Sequence, residues 1–148
     1  MICTTDFHTH ILDLFQKPNL QVWYMYSQNN YFMVNIEITS ILENVEHDSI
    51  RYCNNTWYGV SKNQERRKVA YFDRPELQNI TIRKFMELVD FQYHVLKTSH
   101  GNHINTYQEI FITSQYPINE LMPNIPPLYL ERLLKWIKII KYWTTYSS

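Results

Sequence analysis

The stretch RKVAYFDRP, Arg67 to Pro75, decides how the chain is read. Val69 to Phe72 form a short apolar run, the pattern of a buried strand. The run stops at an acid, Asp73, and Pro75, which has no backbone N–H to offer, blocks further pairing. Two similar runs lie to either side: VWYMY, Val22 to Tyr26, and EIFITS, Glu109 to Ser114. Helical spacing appears between and after them. Asn79 is placed to cap a helix from about Ile80 to Tyr93, where Ile82, Phe85, Met86, Val89 and Tyr93 share one face. VLK at 95–97 is a short strand candidate, followed by the polar turn TSHGNH. Pro127 suits the first turn of a last helix, in which Leu130, Leu133, Leu134, Ile137 and Ile140 recur at helical spacing. Short strands alternating with helices predict an α/β fold, a mainly parallel sheet flanked by helices.

The remaining segments are less decided. Residues 1–20 read as a short amphipathic stretch with Ile11, Leu12, Leu14 and Phe15 apolar, ended by Pro18 and Asn19. YFMVNIEITSIL, from Tyr31, has strand-like Val, Ile and Thr, yet Ile36, Leu42 and Val45 also suit a helix. Residues 46–67 are polar and predict loops around a short aromatic segment at Trp57 and Tyr58.

Composition sets bounds. The 148 residues fit one domain with a real core, and 45% hydrophobic with 19% charged residues is ordinary for a globular chain. Net charge is zero, so any contact with nucleic acid must come from a local patch. Cys3 and Cys53 give neither a disulfide framework nor metal spacing. The start lacks the pattern of a signal peptide, and no stretch approaches the roughly 20 apolar residues that span a bilayer. The expectation is an intracellular protein, nuclear or cytoplasmic, without a membrane. Glycine is scarce: Gly59 and Gly101 are the two in the chain.

The order of motifs in the second half then carries a resemblance. A strand ends in AYFD before Arg74 and Pro75; a helix follows, then KTSHG, then the strand FITSQ with Pro117, then a helix reaching KYW. YCNNTWYGV, Tyr52 to Val60, precedes them. Over roughly residues 20–143 this resembles the superfamily 3 helicase domain of Rep replication proteins from circular single-stranded DNA viruses, of the circovirus and nanovirus type. The resemblance implies a P-loop NTPase-like (AAA+-like) fold over residues 20–148, with residues 1–19 as an N-terminal extension. It implies that Asp73 stands at the first Walker B acid, that Gln115 stands where an Asn commonly senses the γ-phosphate, and that Lys135 and Trp136 stand at the paired arginines. It also places Lys97, His100 and His103 on or near the turn that contacts DNA in the family.

The chemistry departs from the pattern. A phosphate loop needs glycines, so that backbone N–H groups can wrap the phosphates, and a Lys to neutralise them. SQNNYFMVN, Ser27 to Asn35, has neither, and bulky Tyr31, Phe32 and Met33 stand where backbone should approach. Gln115 adds a methylene relative to Asn, enough to misplace its amide by about 1 Å. Lys is not equivalent to Arg for bidentate phosphate contact, and Trp136 makes none. The expectation is a degenerate Rep-helicase-like domain with no functional P-loop, no ATP hydrolysis and no cofactor, retaining a binding role toward single-stranded nucleic acid or a Rep-like oligomer. Two alternatives stand beside it: an active ATP-dependent helicase using MgATP with Asp73 and Gln115, and an unrelated α/β interaction protein. His8 and His10, separated by Thr9, are not expected to hold a metal, nor are the loosely spaced His94, His100 and His103. Tyr52, Trp57 and Tyr58 are candidates for base stacking, or for the core.

Overall fold

Side chains at Val22, Tyr24, Ala70, Ile110 and Ile112 are wholly screened from solvent, which is why these apolar runs settle as neighbouring strands in the middle of a sheet. A computed structural model describes residues 17, 19–62, 67–73, 80–122 and 124–141. In chain order its elements are β1 (Gln21–Tyr26), α1 (Tyr31–Leu42), β2 (Asp48–Cys53), β3 (Thr56–Tyr58), β4 (Val69–Asp73), α2 (Ile82–Val89), β5 (Val95–Thr98), β6 (Gly101–Ile104), β7 (Glu109–Ser114), α3 (Ile118–Leu121), α4 (Pro127–Trp136) and β8 (Ile137–Lys141). The eight strands form one mixed sheet in the order β6-β5-β3-β2-β4-β7-β1-β8. From β2 to β8 every neighbouring pair is parallel. At the other end two antiparallel hairpins, β2–β3 and β5–β6, are joined by a short parallel pairing of β3 with β5. The predicted α/β class with a mainly parallel sheet is thus the observed one.

Helices cover both faces. The larger core packs Val22, Tyr24, Phe72, Ile110 and Ile112 against Phe85, Leu88 and Val89 of α2, Leu121 of α3 and Leu133 of α4. The smaller one packs Met25 and Tyr71 against Val34, Ile38 and Leu42 of α1. Those three lie at i, i+4 and i+8, which settles the ambiguous segment as a helix. Helix and strand readings competed there because apolar residues also lie on the outer face of α1: Phe32 is 70% exposed and Met33 54%.

Four expectations need correction. The stretch 46–67 is not all loop, since it carries β2 and β3. Asp48, buried at the head of β2, broke the apolar pattern; its carboxylate accepts from the Tyr107 hydroxyl and from Ser61 N–H. The turn after β5 is followed at once by β6. The helix expected over 80–93 is α2 alone, capped by Thr81, whose hydroxyl accepts from Lys84 N–H at 3.2 Å, and it ends at Asp90. Asn79, the expected cap, lies outside the described residues. The final helix stops at Trp136 and the chain turns into β8, so Ile137 and Ile140 are strand residues. β-branched Ile at 137, 139 and 140 favours that conformation, and β1 offers an edge to pair with.

The β2–β3 hairpin shows why its turn holds. Asn54 and Asn55, between β2 and β3, have φ of 49° and 62°, the left-handed pair that a two-residue hairpin turn demands. Lys17 is buried, and its N–H donates to Phe91 O at 2.6 Å.

Candidate functional site

In open parallel sheets, ligands settle outside the carboxyl ends of the strands, where the connections from two neighbouring strands run to opposite faces. Here those strands are β1, which leads to α1 on one face, and β7, which leads to α3 and α4 on the other, with β4 beyond β7. The ends of β1, β4 and β7 present Ser27, Asp73 and Thr113 to Gln115. Pairing sets Asp73 beside Thr113, two residues before Gln115, so the two sequence-predicted residues share one edge.

That edge is already filled by side chains. Asn35 Nδ2 donates to the Tyr71 hydroxyl at 2.9 Å. The Thr113 hydroxyl donates to Asp73 Oδ1 at 2.7 Å and lies 3.0 Å from the Tyr71 oxygen. With Thr113 donating onward, Tyr71 must donate to Thr113, giving one directed relay from Asn35 through Tyr71 and Thr113 to the Asp73 carboxylate. Such chains polarise each bond in turn. The Tyr31 hydroxyl, from the first residue of α1, comes within 3.5 Å of the same Thr113 oxygen. Burial raises the Tyr71 pKa above the usual tyrosine value, with the bonds to Thr113 and Asn35 opposing in part. The hydroxyl therefore stays a donor at neutral pH.

The segment after β1 is tied down as well. Ser27 N–H donates to Ser114 O at 3.2 Å, the Ser27 hydroxyl accepts from Asn30 N–H at 3.0 Å, and Gln28 Nε2 reaches Glu120 of the short helix α3 at 3.3 Å. Of the three bulky residues at the head of α1, Tyr31 turns toward the strand ends, whereas Phe32 and Met33 face outward. Two hollows of about 370 and 490 Å³ open elsewhere, near α2, α3 and α4; neither is lined by Asp73, Thr113 or Gln115.

Gln115 is half-buried just past β7. Lys97 is exposed on β5, opposite Asn102. His103, opposite Leu96, faces the other side of the hairpin and is 9% exposed. His100 lies in the turn, its Nδ1 2.8 Å from His103 Nε2. One ring N–H donates to the other ring there, so the pair is held together while Lys97 points away from it. Trp57 is wholly buried against Phe72, and half-buried Tyr52 packs on it, so both belong to the core; Tyr58 is half-buried under Arg51. The indole N–H of Trp136 donates to Val89 O at 2.9 Å, which ties α4 to the end of α2. Lys135 is exposed on α4. His8, His10 and Cys3 lie outside the described residues, and among those residues no three His, Cys, Asp or Glu side chains are arranged to hold a metal ion. No described helix is long and apolar enough to cross a membrane.

Sequence reasoning missed Asn35, Tyr71 and Thr113. Tyr71 and Thr113 sit inside apolar runs and read as core there. The signal available was alternation: with Asp73 at the tip of β4, Tyr71 lies on its face, and a polar Thr113 in the neighbouring strand offers it a partner.

No protein-family model matches the chain, and no similar sequence is found among curated proteins. The site's chemistry therefore rests on its own geometry.

Proposed function

We propose that the chain is a P-loop NTPase-like domain of the viral Rep helicase kind with a closed nucleotide crevice, and that it works by binding rather than by hydrolysing ATP. The observation that carries this reading is the relay Asn35–Tyr71–Thr113–Asp73, with Tyr31 against it, filling the strand ends where nucleotide would sit. The strand order supports the P-loop-like part: β1, β7 and β4 lie side by side, with Asp73 and Gln115 at adjacent tips. Ser27 to Asn35 supports the closed part, having no glycine to open the backbone and no lysine to meet phosphate. Calorimetry with MgATP is expected to give no binding heat for the natural chain or for Asp73→Ala. Heat that disappears in the Asp73→Ala variant would mean the crevice opens to nucleotide, and the reading would fall.

The binding partner this reading favours is single-stranded nucleic acid, on the outer face of the two hairpins. Alternation along the strands turns Ile50, Trp57, Leu96 and His103 inward and Arg51, Tyr58, Lys97 and Asn102 outward. The Arg51 guanidinium lies 5.0 Å above the Tyr58 ring, a flat cationic stack on which a base can rest. Val95 and Ile104, paired across β5 and β6 and each 52% exposed, add an apolar surface beside Lys97. None of the outward positions on these strands is acidic. Fluorescence anisotropy with labelled oligo(dT) is expected to show Arg51→Ala weakening binding about tenfold, the size of one lost stacking contact. Lys97→Ala should lower the salt slope by about 0.7. Lys68→Ala, which removes an equal charge from the opposite end of β4, serves as the control. Equal losses in all three variants, or tighter binding to duplex, would sink the assignment.

A further inference from the structure

On the far side of the sheet from α1, helices α2 and α4 do not close fully on each other. Between them lies a hollow of about 490 Å³, within the size range of small-molecule sites. Its floor is apolar, from Ile82 and Met86 of α2, and Tyr129 of α4 forms one wall. Two arginines, Arg83 from α2 and Arg132 from α4, also line it, together with His94.

Arg132 is held in place before any ligand arrives. Asp90, 3% exposed where α2 ends, accepts from Phe91 N–H at 2.9 Å, from Arg132 at 3.3 Å, and lies 2.8 Å from His94 Nε2. The Arg132 guanidinium also lies 5.2 Å from the centre of the Phe91 ring and 5.8 Å from that of Trp136. A guanidinium has five N–H donors, and Asp90 takes one of them in this geometry. Others are left for an incoming acceptor. The second carboxylate lining the hollow, Glu87, is paired with Lys84 at 3.3 Å. An apolar floor beneath two fork-shaped cations suits an acceptor that takes paired N–H bonds.

We propose that this cleft binds a small organic anion, a carboxylate or phosphate group on a flat apolar body. The head group sits between Arg83 and Arg132, and the body lies over Ile82 and Met86 against Tyr129. The site is separate from the strand-end crevice and from the hairpin face, and stands independently of both.

Calorimetry on the full chain with phenylacetate, phenyl phosphate and neutral phenylacetamide tests it, because the three share an apolar body and differ in the head. At least one anion is expected to bind at least tenfold more tightly than the amide, and the tighter of the two names the head group. Arg83→Ala should weaken that anion about tenfold or more, the size of one charge-assisted bond. Arg132→Lys keeps the charge beside Asp90 but loses the fork, and should also weaken it. Lys68→Ala, an equal charge removed from an exposed position outside the cleft, should leave affinity within twofold. Amide and anions binding alike, Lys68→Ala costing as much as Arg83→Ala, or no heat from any probe would each overturn the proposal.

Discussion

Gly59→Ala is expected to cost about 4 kcal/mol, at the top of the range for single substitutions. Two penalties coincide at this position. The backbone has φ of +84°, which side chains with a Cβ rarely adopt. A Cβ built there would also stand 2.0 Å from Ser49 O and 3.3 Å from Ile50 Cα. Both atoms are backbone of β2, which pairs with β4 in the parallel half of the sheet, so relief requires moving a strand rather than a side chain. Total stabilities of about 5–15 kcal/mol leave little reserve for such a loss. Gly101→Ala separates the two penalties. Gly101 has φ of +127°, but nothing lies within 4 Å of its built Cβ. Urea unfolding should therefore show Gly101→Ala losing clearly less than Gly59→Ala. Equal losses would mean that backbone strain alone sets the cost and that the approach to Ser49 is harmless.

Runs such as Val69–Phe72 and Ile110–Ile112 are buried on both faces, so hydropathy alone exposes them, and the parallel sheet follows. β2 was missed because its inward positions include a charged group: Asp48 is buried only because Tyr107 and Ser61 satisfy it from distant parts of the chain. No local pattern reports that. β8 was missed for the opposite reason, since Ile137 and Ile140 continue the helical spacing of α4 and only the open edge of β1 decides against it. At the strand ends, Asp73 and Gln115 stood out as punctuation after apolar runs. Their neighbour Thr113 did not, because its role depends on Tyr71 across a strand pair. The bulk of Tyr31 at the head of α1 was legible; that Tyr31 turns inward while Phe32 and Met33 turn outward depends on the phase of a helix the sequence left open.

Lys17→Met is expected to stabilise the chain by about 2–4 kcal/mol at pH 6, with a gain that shrinks as pH rises. Lys17 is 5% exposed, and its ammonium nitrogen finds no hydrogen-bond partner among the described residues. Burial lowers its pKa from 10.5 to about 7, with the Asp90 carboxylate opposing only in part. Between those values the unfolded chain carries a proton that the folded chain has released, so stability climbs with pH across that window. Below about pH 7 both states are charged, and the folded one bears the full cost of a buried, unpaired ammonium. At 1.36 kcal/mol per pK unit that cost is about 5 kcal/mol, and relaxation around the charge brings it toward the smaller figure given. Asp90 is already shared by Arg132 and His94, which explains why it does not rescue Lys17. Methionine keeps the unbranched length and removes the charge. Above about pH 10 a different group of residues takes over. Burial holds the hydroxyls of Tyr24, Tyr71 and Tyr107 protonated past their usual range, so the unfolded chain loses those protons first and stability falls again. Urea unfolding of both proteins at pH 6, 7.5, 9 and 11 should show the natural chain rising toward the variant up to pH 9, and both declining between pH 9 and 11. Parallel curves from pH 6 to 9 would mean that Lys17 keeps its proton in the folded state and that the buried amine is not what limits stability at neutral pH.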